Sequence, residues 1–142
     1  MASPKSIPLA ILWTLITATA GGFACGLVIY RFGELGCISF WAMGAFAGYV
    51  AQRILGGRSR LVGFVLIASC VSTLVIAETC WIHWKIKLGA ESWWAAFGLL
   101  PTFVQEYERS ALIGAIFTAF GAWSAYRQNA VRYRLVAVDD SK

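Results

Sequence analysis

Charges in this chain stand mainly at the ends of long apolar runs. Between Lys5 and Arg31 there is no Asp, Glu, Lys or Arg. A helix rising 1.5 Å per residue needs about 20 apolar residues to cross a bilayer, and residues 6–30 exceed that. A second uncharged run lies between Glu34 and Arg53, and a third extends from Leu61 to Ile82, interrupted only by Glu78. A fourth covers Ser110 to Tyr126 and gains length if its helix starts near Pro101, because proline fits a first helical turn. The pattern predicts four spans at about 7–30, 36–55, 61–83 and 103–126. Gly33 and Gly36 permit a tight hairpin after the first, while Gly56-Gly57-Arg58-Ser59-Arg60 is the polar link after the second.

Residues 92–105 are uncharged but too few to span, and Gly98 and Pro101 would interrupt a continuous helix. An interfacial segment at about 91–101 is therefore expected. The N-terminal run also has features of a secretory signal: Lys5, an apolar stretch from Ile7, and Ala18-Thr19-Ala20 as a cleavage site. Its apolar character continues through Val28 and Ile29, beyond such a signal, and favours a retained helix.

Composition agrees with this reading. Of 142 residues, 59% are hydrophobic and only 13% charged, whereas soluble domains carry about 25% charged residues. The expected fold is all-α: one integral membrane four-helix bundle with an extra-cytoplasmic amphipathic segment and a cytoplasmic tail at 127–142. The net charge of +5 raises nucleic acid as a partner, but the cations flank apolar runs instead of forming a patch. Lys5, Arg53, Arg58, Arg60, Arg127, Arg132, Arg134 and Lys142 fall on one side, and Arg31, Lys85, Lys87 and Arg109 on the other. That eight-to-four split predicts cytoplasmic termini in a plasma or bacterial inner membrane. The expected partners are the bilayer and a membrane protein, either another copy or a different chain, with no nucleic acid.

Small residues recur every four positions. Ala18, Gly22 and Gly26 form one row, Gly44 and Gly48 a second, and Ala111, Ala115 and Ala119 a third. Such rows let helices approach closely in lipid, where dispersion and hydrogen bonds hold them together. Trp81, Trp84, Trp93 and Trp94 are expected as interfacial anchors. Glu78 is the candidate intramembrane acid, lying about 6 Å below the outer boundary, within reach of Arg31 or Lys85. Ser69, Ser72, Thr73 and Cys80 share another face of the same helix.

Chemistry is sparse. Cys25, Cys37, Cys70 and Cys80 lack metal-ligand spacing, although a Cys37–Cys80 bridge is conceivable at the outer boundary. His83, the only histidine, stands one turn beyond Cys80 without an evident third group to orient it. No catalytic, cofactor or metal site is expected. Gly21-Gly22-x-x-x-Gly26 followed by Tyr30-Arg31 is only generically similar to the start of the dimeric fluoride channels. The order and spacing differ, the sole asparagine is Asn129, and Phe64 stands alone on the third helix, so no family is assigned. The functional expectation is a non-enzymatic structural or accessory membrane subunit acting through helix packing. The alternative is a small oligomeric channel or transporter using Glu78 and the Ser/Thr face.

Overall fold

Small and weakly polar residues form the buried stripe of the first helix, α1 (Ser6–Phe32). Ala10, Thr14, Ala18, Gly22 and Gly26 face inward, whereas Leu9, Leu15, Ile16, Phe23 and Leu27 are exposed. The computed structural model describes residues 6–56, 58–86 and 93–129. Lys5, Lys87, Arg132, Arg134, Lys142, the start of the interfacial segment at 91 and the tail from 130 lie outside them.

Gly33–Cys37 forms a 3-10 turn that reverses the chain into α2 (Ile38–Leu55). Gly33 has φ +62°, which favours glycine. A Cβ at Gly36 would lie 2.7 Å from the Ile29 backbone, so the turn folds tightly against α1. The reversal brings the far ends together: Ser6 Oγ donates to the Leu55 carbonyl at 3.4 Å. Gly56, in the left-handed conformation, closes α2 with its N–H on the Gln52 carbonyl. Then follow α3 (Arg60–Ile86), α4 (Trp93–Gly98), α5 (Leu100–Glu106) and α6 (Glu108–Asn129).

All regular elements among the described residues are helical. The helical stretches Ser6–Leu55, which includes the reversal at Gly33–Cys37, and Arg60–Ile86 each contain a segment long and apolar enough to cross a membrane. The long helices pack in the cyclic order α1–α3–α6–α2, with α2 and α3 meeting more sparsely across the middle. Within the seam α1/α3, Thr14 lies beside Ser69, and Gly26 beside Ala77 and Cys80. Within α2/α6, Gly44 lies against Gly121, and Gly48 against Ala125. Residue numbers rise together along both seams, so each pair runs parallel. The two pairs lie antiparallel to one another.

One helix boundary differs from the sequence expectation. The run placed from 103 is divided at Tyr107, whose φ of −118° and ψ of 45° leave the helical region. Phe103 and Tyr107 pack their rings edge-on to Trp81 at 5.7 and 5.3 Å. These contacts hold α5 against α3 as a separate short helix, and the long helix begins at Glu108. Uncharged sequence alone does not reveal such a break.

Candidate functional site

The bundle end that contains the 3-10 turn holds a buried cluster of Cys25, Ile29, Cys37, Phe40 and Ala77, and the packing opens on one side of it. A partly open cavity of about 190 Å³ remains between α1, α3, α5 and the start of α6. Helix α3 supplies Glu78, Trp81 and Lys85 at intervals of three and four residues, which places them along one face. The 3-10 turn adds Glu34, and α5 and its C-terminal boundary add Phe103 and Tyr107.

Each charged group has different surroundings. Glu34 Oε1 accepts a hydrogen bond from Ser110 Oγ at 3.2 Å, and its other oxygen lies 3.6 Å from Arg109 Nε. Lys85 donates from Nζ to the Tyr107 hydroxyl at 3.1 Å. The same nitrogen lies 4.5 Å from the Trp81 ring centre and 4.3 Å from that of Tyr107. Its charge therefore meets two electron-rich faces and a hydroxyl oxygen.

Glu78 is half-buried, with Gly114 and Phe40 nearby on α6 and α2. A Cβ at Gly114 would lie 3.6 Å from Glu78 Oε1, an ordinary van der Waals contact, so α6 borders the carboxylate without crowding it. No hydrogen bond or ion pair reaches that carboxylate from the described residues. The pairing with Arg31 or Lys85 allowed by the sequence is absent. The cavity instead contains a carboxylate with unused acceptor capacity.

The other residues singled out by sequence lie elsewhere. Gly22 and Gly26 face α3: added Cβ atoms would lie 2.5 Å from Ile76 Cγ2 and 2.9 Å from Cys80 Cβ, respectively. Gly44 and Gly48 similarly face α6, at 2.6 Å from Gly121 and Ala125 backbone atoms. The inward row on α6 is Gly114, Thr118, Gly121 and Ala125. Ala115 and Ala119 are exposed, so the expected α6 packing row is displaced by one position within this chain. The 100° rotation between consecutive helix residues separates these faces.

Ser69 donates to the Thr14 carbonyl at 2.9 Å, and Thr73 to the Ala18 and Ser69 carbonyls at 3.5 and 2.9 Å. Ser72 is exposed and bonds within its own helix. The proposed polar face is thus divided. Ser69, Thr73 and Cys80 are buried, and a central void of about 10 Å³ borders Thr17, Ser69 and Thr73.

Among the tryptophans, Trp81 faces the cavity and Trp84 meets Tyr30 edge-on. Trp93 stacks on His83 at 3.8 Å, while Trp94 is 83% exposed. His83 is buried and its Nδ1 has no hydrogen-bond partner among the described residues. All four cysteines are free and buried, so the conceivable Cys37–Cys80 bridge does not form. Among the described residues, no group of three His, Cys, Asp or Glu side chains is arranged to hold a metal.

The sequence points to Glu78 with Lys85 within reach of it, but not to Glu34, Phe103 and Tyr107 as parts of the same site. The i,i+4 pair Trp81–Lys85 was a usable local signal. The contributions from Glu34 and Tyr107 depend on tertiary packing. No family model matches the sequence, and no curated protein or solved structure shows significant similarity to it.

Proposed function

We propose that this chain is a four-span integral membrane protein, with α1, α2, α3 and α6 crossing the bilayer and both termini cytoplasmic. It serves as a non-enzymatic structural or accessory subunit in a plasma or bacterial inner membrane. The observation carrying this reading is the placement of small residues inside and large apolar residues outside. Leu15 is 60% exposed, Phe64 60%, Leu112 60% and Trp123 62%. Water would penalise such a surface, whereas lipid tails solvate it.

The charge distribution supports the orientation. Arg53, Arg58, Arg60 and Arg127 belong to the bundle end containing the Ser6–Leu55 contact, opposite the acidic cavity. The glycine rows already serve contacts within the chain. Association with another copy or membrane protein would therefore use outward faces. The exposed α6 surface containing Ala115, Ala119, Leu112 and Ile116 supports such an association. It combines small residues that permit close approach with larger side chains that can pack around them.

The channel alternative receives less support within one chain. Ser69 and Thr73 are occupied by carbonyl contacts across α1/α3, and the central void is only about 10 Å³. A transport route would require an interface between copies. Single-cysteine labelling at Ser59→Cys and Arg109→Cys, in a background with the native cysteines replaced, tests the topology. Accessibility from opposite membrane sides is expected; accessibility of both from one side overturns the four-span arrangement. Native mass spectrometry in mild detergent then tests association: a self-assembled or mixed complex supports the subunit reading, and an isolated monomer contradicts it.

A further inference from the structure

We propose that the cavity between α1, α3 and α5 binds a primary organic ammonium with a short apolar body. This goes beyond the structural role and does not depend on the chain's orientation in a membrane. Lys85 provides the first observation. Its side chain carries an ammonium on a four-carbon stem, and that ammonium lies over Trp81 and Tyr107 while donating to the Tyr107 hydroxyl. The chain thereby presents a tethered alkylammonium to the aromatic mouth of its own cavity.

Glu78 provides the second, independent observation. Its carboxylate lines the same cavity without a hydrogen bond or ion pair from the described residues. Glu34 already meets Arg109 and Ser110, and Lys85 already meets Tyr107. The unused acceptor capacity in the cavity is therefore at Glu78, where a cationic donor would be met by a carboxylate with no other partner among the described residues. An anion would find one ammonium, Lys85, already held by Tyr107, and two carboxylates, whereas a neutral alcohol would lack the charge attraction. A volume of about 190 Å³ accommodates a compact alkylammonium, while Ile29, Leu100 and Val104 provide apolar contacts for its carbon chain. The incoming N–H groups would meet Glu78, with Lys85 moving away from the ring faces as the ligand enters.

Butylammonium tests the binding site because it reproduces the ammonium and four-carbon stem of Lys85. Isothermal titration calorimetry on the full chain in lipid nanodiscs would compare it with butanol and butanoate at equal concentrations. Saturable binding specific to butylammonium is expected, with Glu78→Gln weakening it by about tenfold or more. Lys85→Met should strengthen binding several-fold by removing the internal competitor and a nearby positive charge. That gain distinguishes ligand competition from loss of structure and keeps the test decisive if the Glu78 variant does not fold. Absence of saturable butylammonium binding overturns the proposal. Equivalent binding of butanol, preferential binding of butanoate, or no gain in Lys85→Met does the same.

Discussion

The glycine seams and the cavity end are built from the same helices but tolerate substitution for different reasons. In the seams, Gly44 meets Gly121 and Gly48 meets Ala125 through backbone atoms that cannot rotate away. At the cavity, Glu78, Trp81 and Tyr107 surround space, and a Cβ at the neighbouring Gly114 would meet only ordinary contacts of 3.5–3.6 Å. Close approach therefore dominates fold stability in the seams, whereas side-chain chemistry dominates the capacity of the open end.

The strongest way to break this contrast is Gly44→Leu. Its first side-chain carbon would already lie 2.6 Å from the Gly121 backbone, with the rest of the leucine still to accommodate. Loss of the α2/α6 seam and a destabilisation of about 3 kcal/mol are expected, measured by thermal unfolding in mild detergent. An unchanged unfolding temperature would contradict the close-contact assignment.

Gly22→Ala should have a smaller effect. Its added Cβ meets Ile76 Cγ2 at 2.5 Å, which can rotate away, and Ile76 Cβ at 2.6 Å, which yields only by a small shift of α3; a single methyl needs far less space than a leucine. A cost of about 1 kcal/mol is expected. A penalty equal to that of Gly44→Leu would show that the α1/α3 seam cannot open even by the width of a methyl group.

Ser69→Ala removes the hydrogen bond to the Thr14 carbonyl without introducing bulk. A loss of about 0.5–1.5 kcal/mol is expected in the same unfolding measurement. An unchanged stability would show that this hydrogen bond adds nothing to the seam. Glu78→Gln is the least disruptive of the four, because no described partner depends on the carboxylate and the amide preserves its approximate shape. Its stability should remain within about 0.5 kcal/mol of wild type. A large loss would assign Glu78 a structural role and remove the contrast with the glycine seams.

The long uncharged runs, the glycine-bearing turn after Phe32 and the candidate acid at Glu78 are legible in the chain alone, because these properties are written in composition, spacing and side-chain chemistry. So is the placement of Trp81 and Lys85 one helical turn apart. Tertiary structure decided that α1 pairs with α3 and α2 with α6, since equivalent small-residue rows do not specify their partners. The inward α6 face passes through Gly114 and Thr118 instead of Ala115, a distinction of one residue and about 100° around the helix. Tyr107 likewise joins Lys85 across 22 positions only because the chain breaks between α5 and α6 and returns to α3. Local periodicity determines which residues can share a helix face; packing between helices determines what those faces meet.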